Sequence, residues 1–348
     1  MISVILAGGK GLRLWPESRR DRPKQLCKFV GNKSMLEHTI DRLRMAGSDH
    51  IIIITNDELL PSIQNLVNQR SDAESIEILS EPEGKNTAPA VGLALARLFA
   101  LNKDEIIGVF PADHHILDNQ GFKESIERAR LAAESGFLAT LGITPNRPET
   151  GYGYIEKTKW EIGEMPDVFQ VKAFYEKPDF ETAQSYISTG QHMWNAGIYI
   201  GKTRVFLDEF KEHLPELYER MIAGFDDYLN SYQYLPNISL DYGIAEKSKR
   251  MAVVPADIGW CDLGSWNALA ELYREDKDKN VCSGKDIVLK ETSNCVVKQS
   301  DKTVVLFGVK DLLVVETDDV IFVSDRQRSQ EVRNLTDDLC QKHRLDLL

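Results

Sequence analysis

The sequence predicts an α/β protein whose mostly parallel, mixed sheet is flanked by helices and followed by a small β-rich C-terminal domain. Up to about residue 143, short β-branched apolar runs alternate with longer segments of helical period. Such alternation favours a parallel sheet with helices on both faces. Beyond residue 280, short apolar runs follow one another at fairly even spacing, separated by turn residues. That second pattern favours a small β-solenoid or sandwich.

The alternating region contains the elements that should position a binding site. The predicted strands cover 2–6, 51–55, 76–79, 106–110 and 138–142. The predicted helices cover 34–46, 58–69, 88–101 and 121–135. Ligands bind beyond the carboxyl ends of the strands in such sheets, so the loops after Leu6, Leu79 and Phe110 are the expected places for function.

The chain changes character from about residue 144. Shorter strands, which we interpret as an antiparallel extension, are predicted at 152–157, 168–176 and 195–201. Helices are predicted at 203–212, 214–223, 240–248 and 264–274.

After a charged, linker-like run, β segments are predicted at 286–289, 295–297, 304–306, 312–315 and 320–323, with a polar helical tail from 326. We therefore expect a large domain over 1–275 and a small one over 281–348. Because so few short β-coils bury little apolar core by themselves, the small domain should pack on the large domain or on a second subunit.

Composition limits the classes of partner. The chain has 348 residues, 42% of them hydrophobic and 28% charged, as in an ordinary soluble globular protein. A formal charge of -12 argues against a nucleic-acid partner, although a nucleotide needs only local positive charge. No apolar run approaches the roughly 20 residues of a membrane span, and no signal peptide is expected. The five cysteines form no Cys-x-x-Cys pair, which favours the cytoplasm.

The loop after the first strand is the strongest candidate for ligand binding. It reads Leu6-Ala7-Gly8-Gly9-Lys10-Gly11-Leu12-Arg13-Leu14-Trp15-Pro16. Its glycines allow backbone N–H groups to approach an anion, and its lysine and arginine add positive charge. A Walker A loop is excluded because glycine follows the lysine, and the dinucleotide fingerprint fails where leucine replaces a small third residue. A phosphate loop and a plain tight turn both remain open.

Two aspartates adjoin predicted elements, and the first is a candidate metal ligand by its position alone. Asp113 follows a predicted strand, where a carboxylate suits a hard, mostly hydrated ion such as Mg²⁺, although an N-cap or turn role is the alternative. Asp262 precedes a predicted helix, so it too has an N-cap alternative. His114 and His115 are not expected to bind zinc, because no third ligand stands at suitable spacing. Arg19, Arg20 and Arg22 are expected to be solvated.

The glycine-rich loop, together with Pro23-Lys24-Gln25, resembles the signature of the sugar-1-phosphate nucleotidyltransferases and, among them, the mannose-1-phosphate guanylyltransferases. Similar motifs recur to about residue 270: Pro111-Ala112-Asp113-His114, Thr150-Gly151-Tyr152-Gly153-Tyr154-Ile155, Phe174-Tyr175-Glu176-Lys177-Pro178, Trp194-Asn195-Ala196-Gly197-Ile198 and Trp260-Cys261-Asp262-Leu263-Gly264-Ser265-Trp266. Arg22 departs from the family, which frequently has an aromatic residue before Pro-Lys-Gln.

The resemblance implies a Rossmann-like, GT-A-like catalytic domain and a short left-handed β-helix that helps form a homodimer. It implies a reaction in which GTP and mannose 1-phosphate give GDP-mannose and pyrophosphate by direct displacement, with Mg²⁺. Such a reaction needs basic residues near the leaving group and carboxylates for the metal.

The resemblance also assigns residue roles. Arg13 and Lys24 are the catalytic contacts to the triphosphate, and Asp113 and Asp262 are the metal ligands. Nucleotide binding is expected of Leu6, Ala7, Gly8, Gly9, Lys10, Gly11, Glu81, Asn86, Thr87, Pro111 and Ala112. Sugar-phosphate binding is expected of Gly151, Tyr152, Glu176, Lys177 and Asn195.

Some of these assignments have a second interpretation. Glu81 can accept both guanine N1–H and N2–H, a pair that adenine and uracil do not offer. Asn86 or Thr87, followed by Ala88-Pro89, is also a good helix start. Ser239-Leu240-Asp241-Tyr242 is a further family match that we interpret mostly as a helix start and packing.

Two alternative functions stay open. One is the same fold acting on another sugar 1-phosphate or another nucleotide. The other is a non-catalytic regulatory homologue, which would be expected to lose Arg13, Lys24, Asp113 or Asp262, and all four are present. Because the chain ends without the isomerase-sized domain of some relatives, no mannose-6-phosphate isomerase activity is expected.

Overall fold

The computed structural model describes every residue of the chain except Lys10. The chain divides into two compact units. The first unit contains Met1–Gly9, Thr39–Ala112 and Ile116–Trp260. The second contains Lys10–His38, Asp113–His115 and Cys261–Leu348. Most of the loop after the first strand therefore belongs to the same unit as the C-terminal part of the chain.

The strands and helices are numbered in chain order. The strands are β1 Ile2–Leu6, β2 His50–Asn56, β3 Ile76–Glu81, β4 Ile106–Pro111, β5 His115–Ile116, β6 Leu138–Ile143, β7 Gly153–Glu161, β8 Phe169–Glu176, β9 His192–Lys202, β10 Met251–Pro255, β11 Trp260–Cys261, β12 Val281–Ser283, β13 Ile287–Lys290, β14 Val296–Lys298, β15 Val304–Phe307, β16 Leu312–Glu316 and β17 Ile321–Asp325. The α-helices are α1 Met35–Met45, α2 Leu60–Asn68, α3 Thr87–Ala100, α4 Asn119–Glu134, α5 Phe180–Thr189, α6 Thr203–His213, α7 Pro215–Ala223, α8 Phe225–Ser231, α9 Trp266–Ala270 and α10 Val332–Gln341.

The first unit is built on a mixed sheet with the strand order β3-β2-β1-β4-β9-β6-β10-β8-β7. The strands β1 to β4 are parallel to one another, whereas β9 runs antiparallel to both β4 and β6. The central strand β1 is apolar because both of its faces are covered: Val4 and Ile5 have no exposed surface. Leu6 lies opposite Pro111, so the loops after β1 and β4 leave the sheet side by side. The predicted mixed α/β sheet is confirmed.

The helix α3 shows how the core of this unit closes. Its apolar sequence is buried along nearly its whole length, as expected for a helix that is covered on all sides. A Cβ at Gly92 would collide with the hydroxyl of Tyr228 on α8, so the absence of a side chain permits this approach. The Tyr228 hydroxyl donates to the backbone oxygen of Pro89 at 2.9 Å.

The C-terminal part of the second unit consists of stacked parallel strands. Val281 on β12 lies opposite Val296 on β14, which lies opposite Leu313 on β16. A second ladder pairs β13 with β15, and β17 closes the first ladder in antiparallel orientation. The buried Asn280 donates to the Thr292 carbonyl at 2.9 Å and accepts from the Cys295 N–H at 3.0 Å. The β-rich C-terminal region is confirmed.

Several helices differ from the prediction. The helix predicted over 264–274 is limited to α9, and the one predicted over 240–248 contains a five-residue π-helix, Asp241–Ala245. The helices α5 and α8 were not predicted. Only Ala183 is buried on α5, so the sequence lacks a strong apolar period there, and the helix is defined instead by its Asp179 cap and by Gly190 at φ +65°.

Among the described residues, no helix combines the length and the apolar character that a bilayer span requires.

Candidate functional site

A charged pocket lies in the second unit. The cavity, which we call the charged pocket, has a volume of about 540 Å³. Its basic lining residues are Arg13, Arg20, Lys24 and Arg333. Its acidic lining residues are Asp113, Asp262 and Asp337. Folding therefore brings together the four side chains to which catalytic and metal roles were assigned, and adds the charged residues Arg20, Arg333 and Asp337, which had no such role.

Lys24 connects the two aspartates. Its Nζ lies 2.7 Å from Asp113 Oδ2 and also donates to the backbone carbonyl of Asp262. Lys24 is only 6% exposed, so its ammonium depends on these partners. Burial raises the pKa of Asp113, but the charges of Lys24 and His114, together with the hydrogen bonds that the carboxylate accepts, lower it by more, and the resulting pKa lies below the ordinary value. Asp113 is therefore an ionised carboxylate at neutral pH.

Neither aspartate caps a helix. Ser265 caps α9, because its Oγ accepts from the Ala268 N–H at 3.2 Å. Asp118 caps α4. The N-cap alternatives for Asp113 and Asp262 are therefore wrong. Asp262 Oδ1 accepts from the Gly264 N–H at 3.0 Å, in a turn where Leu263 has a φ of +48°. A residue other than glycine in this left-handed conformation carries backbone strain, which often accompanies functional sites.

The glycine-rich loop approaches the segment that carries Lys24. Gly11 has a φ of +53°, and an added Cβ would lie 2.7 Å from Lys24 Cβ and 2.9 Å from its backbone nitrogen. Glycine is therefore required here both for the backbone conformation and for the close approach. Arg13 follows in a 3₁₀ turn, Leu12–Leu14, and is an exposed residue that lines the charged pocket. Lys10 lies outside the described residues.

The end of the loop is anchored to the C-terminal segment. Trp15 Nε1 donates to the Leu347 carbonyl at 2.6 Å, and Arg19 Nη1 donates to the same oxygen at 2.8 Å. Arg19 also pairs with Asp319 at 2.7 Å, and its side chain is only 12% exposed. The expectation that Arg19 is solvated is therefore wrong, because its partners come from distant parts of the chain. Arg22 is exposed, as expected.

In the first unit, Glu81 lies against the beginning of the glycine-rich loop. Glu81 is 5% exposed and accepts from the Tyr232 hydroxyl at 2.6 Å. An added Cβ at Gly8 would collide with Glu81 Oε1. Burial raises the pKa of Glu81, and the Tyr232 hydrogen bond only partly offsets this effect. The residues predicted to bind the nucleotide at Gly8 and Glu81 are therefore in contact.

The helix-start interpretation of Asn86 is confirmed. Its Oδ1 accepts from the Thr87 N–H at 2.9 Å, and Asn86 has a φ of +72° ahead of α3. Thr87 uses its own hydroxyl to accept from the Leu240 N–H at 2.7 Å. Both side chains have structural partners, and their nucleotide contacts stay a prediction.

A buried polar network surrounds Asn195, one of the predicted sugar-binding residues. Its amide donates to Asp241 Oδ1 at 2.8 Å and to the Tyr199 hydroxyl at 3.0 Å. Tyr199 also donates to Asp241 at 2.6 Å, and the Thr140 hydroxyl donates to Asn195 Oδ1 at 3.0 Å. Asp241 thus orients Asn195, a role that the helix-start interpretation did not include. The family match at Ser239-Leu240-Asp241-Tyr242 was the signal that pointed to it.

The other predicted sugar residues lie at the ends of β7 and β8. Lys177 pairs with Glu176 at 2.6 Å and has a φ of +49°. Burial raises the pKa of Glu176, Lys177 lowers it, and the net shift is upward. The Tyr152 ring packs edge-on against Trp194 at 5.2 Å between centroids. Gly151 donates its N–H to Glu149 at 3.1 Å.

Within the described part of the chain, no three His, Cys, Asp or Glu side chains form a group that could hold a metal ion by themselves.

The fold is a mixed α/β sheet followed by a β-rich region, and the glycine-rich loop contributes to the lining of the charged pocket. Residues 2–279 match the family described as Nucleotidyl transferase, and residues 285–339 match the MannoseP isomerase/GMP-like beta-helix domain. The chain belongs to the nucleotidyl transferase family.

Several named proteins are similar to this chain along nearly its whole length. A mannose-1-phosphate guanylyltransferase of Escherichia coli K12 is 36% identical over 97% of this chain and 73% of its own length. The alginate biosynthesis protein AlgA of Pseudomonas aeruginosa is 36% identical over 97% of this chain and 72% of its own. A crystal structure from Thermus thermophilus, described as mannose-1-phosphate geranyltransferase, is 33% identical with a TM-score of 0.88, covering 97% of this chain and 98% of that one. The predicted family resemblance is confirmed.

Proposed function

We propose that this protein transfers GMP from GTP to α-D-mannose 1-phosphate, forming GDP-mannose and releasing pyrophosphate. Family membership and the named activity of the Escherichia coli relative support this proposal. The observation that carries it is the charged pocket, where Lys24 pairs with Asp113 beside Asp262 and Arg13. A regulatory homologue without activity would have no need to keep this set together.

The chemistry asks little of the protein beyond position and charge. An oxygen of the sugar phosphate attacks the α-phosphorus, and the bond to the bridging oxygen breaks as pyrophosphate leaves with the electron pair. The attacking oxygen is already ionised, so no strong base is needed. In the proposal, Arg13 offers a guanidinium fork to phosphate oxygens, and Lys24 offsets charge that develops on the α-phosphate.

The charged pocket suits a divalent cation, which we propose to be Mg²⁺. Asp113 and Asp262 would hold it with carboxylate oxygens, the ligand type that Mg²⁺ prefers. Mg²⁺ normally takes its remaining ligands from water and substrate phosphates, so two protein carboxylates suffice. The Lys24 ammonium at Asp113 supports the fit, since this carboxylate already accepts a cation. When bound, the ion would neutralise phosphate charge.

Nucleotide recognition is proposed for the loops that follow β1, β3 and β4. The backbone of Leu6, Ala7, Gly8, Gly9 and Gly11 would contact the nucleotide, as would Lys10, Pro111 and Ala112. Asn86 and Thr87 would shape this site from the start of α3. Glu81 would read guanine by accepting from its N1–H and N2–H groups. Its burial beside Gly8 supports this role, because a desolvated carboxylate discriminates strongly between partners that can and cannot donate.

Sugar binding is proposed for the polar residues of β7, β8 and β9. Glu176 and Asn195 would bind hydroxyl groups, and Lys177 would hold the sugar phosphate. Gly151 and Tyr152 would line the same site. The support is the network that fixes Asn195 and the ion pair that holds the Lys177 ammonium 2.6 Å from Glu176.

Assembly and location are also part of the proposal. We propose a catalytic domain over 1–275, a β-rich domain over 281–348 that contributes to a homodimer, and residence in the cytoplasm. The cysteines support that compartment, since all five are free thiols. Sedimentation of the purified chain at several concentrations would test the dimer, and a monomer at high concentration would contradict it.

The decisive experiment measures pyrophosphate release from a panel of nucleotides and sugar phosphates. We expect release with GTP and mannose 1-phosphate, and much slower release when ATP, UTP or glucose 1-phosphate is substituted. Asp113→Ala serves as the inactive control. Chelation of divalent ions should abolish release, and added Mg²⁺ should restore it. Equal rates with every pair, or release that survives Asp113→Ala, would contradict the proposal.

A further inference from the structure

We propose that the C-terminal helix α10 forms part of the phosphate site and that Arg333 binds the two phosphates that leave as pyrophosphate. The inference rests on the proposed function. It adds a residue that lies outside the motifs singled out in the sequence and that no local pattern connects to the glycine-rich loop.

One face of α10 lines the charged pocket. Arg333, Thr336 and Asp337 are spaced i, i+3 and i+4, so they lie on the same side of a helix, and all three line the cavity. The apolar residues Val332 and Leu335 belong to the hydrophobic cluster of the second unit, together with Leu339 one turn further on. Packing of the apolar face therefore determines which face meets the cavity, and Arg333 is placed there by the core.

The helix is held beside the turn that carries Arg13. Leu14 and Trp15 belong to the same hydrophobic cluster as Val332. Trp15 and Arg19 both donate to the Leu347 carbonyl, which joins the glycine-rich loop to the segment that follows α10. A shift of α10 would therefore break contacts to the loop itself, so the two cationic segments keep a defined relation.

The charges of the pocket indicate what Arg333 binds. Lys24 is engaged by Asp113, and Arg20 donates to Cys340 Sγ at 3.5 Å. By contrast, the guanidinium of Arg333 has no hydrogen bond or ion pair to any described residue, and it is exposed in the cavity. A guanidinium fork matches phosphate oxygens well, and a pyrophosphate group carries several negative charges at neutral pH. Arg13 lines the same cavity and is assigned to the triphosphate, so Arg333 contacts the triphosphate as well.

The test measures the binding of inorganic pyrophosphate, with Mg²⁺ present, by titration calorimetry. We expect Arg333→Ala to weaken binding roughly tenfold, the loss of one charge-assisted hydrogen-bonding partner, and Arg333→Lys to recover part of it. Arg328→Ala is the matched control, because Arg328 is exposed and pairs with Glu331 outside the cavity. Asp337→Asn, which removes a negative charge from the same cavity, should tighten binding.

Steady-state kinetics supply a second readout. Arg333→Ala should raise KM for GTP, and for pyrophosphate in the reverse reaction, while KM for mannose 1-phosphate stays unchanged. Unaltered pyrophosphate binding in Arg333→Ala, or equal effects in Arg333→Ala and Arg328→Ala, would overturn the inference and leave the proposed function intact. If the wild type binds pyrophosphate through Arg333 but does not turn over GTP with mannose 1-phosphate, the proposed function fails and the phosphate site stands. An Arg333→Ala protein that does not fold leaves the decision to Asp337→Asn, whose unchanged affinity would count against the inference.

Discussion

The Lys24 ammonium lies 2.7 Å from the Asp113 carboxylate, although 89 residues separate them in the chain. The same ammonium donates to the backbone of Asp262. One lysine therefore organises both proposed metal ligands, and it does so from within the segment that follows the glycine-rich loop. The proposed mechanism predicts that the charge of this lysine acts on the transferred phosphate as well as on the carboxylates.

Lys24→Ala is expected to reduce kcat about 10²- to 10³-fold, the range seen when one preorganised charge-stabilising group is removed. Asp113→Asn should reduce kcat by a comparable factor. The double variant should lose less kcat than the product of the two single reductions, because both substitutions break the same interaction. Pyrophosphate release under saturating substrates is the measurement. Lys28→Ala, an exposed lysine on the same segment, is the control. Strictly multiplicative losses would show that Lys24 and Asp113 act independently.

Glu81→Gln is expected to narrow the preference for GTP over ATP by about tenfold or more, since the site loses a partner for one of the guanine donors. The carboxylate accepts from both guanine donors, whereas glutamine offers one oxygen and a competing N–H₂ group. The measurement is the ratio of kcat/KM for the two nucleotides in wild type and variant. Tyr232→Phe, which removes the 2.6 Å hydrogen bond to Glu81 and leaves its charge, should alter the ratio less. An unchanged ratio in Glu81→Gln would remove Glu81 from base recognition.

The buried Glu81 also predicts a pH dependence of stability. Its folded-state pKa is raised above the ordinary value of 4.5, so the folded protein binds this proton more tightly than the unfolded chain. The corresponding stability is fully present below that ordinary value and is lost as the pH rises through the raised pKa. The free energy of unfolding of the wild type should therefore fall, relative to Glu81→Gln, as the pH rises above the ordinary value of 4.5.

Urea unfolding of wild type and Glu81→Gln over this pH range measures the difference between their free energies of unfolding. The contributions of the titrating groups that both proteins share cancel in this difference. Tyr232→Phe should move the fall to higher pH, because the Tyr232 hydrogen bond lowers the pKa of Glu81. A difference between wild type and Glu81→Gln that does not vary with pH would contradict the raised pKa.

Gly8→Ala is expected to destabilise the protein by about 1–3 kcal/mol, the usual cost of overpacking a well-packed site. The added methyl group would meet Glu81 Oε1, and Glu81 is held in place by Tyr232. Gly9→Ala is a matched control for stability, because no described residue beyond its chain neighbours lies within 4 Å of the added Cβ. Thermal unfolding compares the two. If Gly8→Ala is as stable as Gly9→Ala, Glu81 moves freely and the proposed packing of the base site is wrong.

Asp241→Ala is expected to raise KM for mannose 1-phosphate roughly tenfold, with KM for GTP unchanged. Removal of the carboxylate leaves the Asn195 amide and the Tyr199 hydroxyl without their shared acceptor, and each lost charged hydrogen bond costs about 1.5–3 kcal/mol. Asp257→Ala, an exposed aspartate of the same unit, is the control. Equal increases in both KM values would indicate a general loss of structure instead of a misplaced Asn195.

Features that depend on neighbouring residues were predictable from the sequence, whereas features that depend on distant contacts were not. The strand Ile2–Leu6 was predictable because a run of apolar, β-branched residues determines its own burial on both faces. The helix Phe180–Thr189 was missed because a single residue of it is buried, although its Asp179 cap and Gly190 terminus stood in the sequence. Ser265, and not Asp262, caps α9, a distinction that depends on where the helix begins.

The amino-acid sequence by itself determined the alternation of strands and helices, the glycine-rich loop and the family to which this chain belongs, because periodicity, turn residues and motif spacing act over a few neighbouring positions. Tertiary structure alone decided which charges meet: Lys24 with Asp113, Asp241 with Asn195, and Arg333 in the cavity that holds Arg13. These contacts join residues far apart in the chain, and their distances depend on how apolar surfaces pack, which no local pattern records.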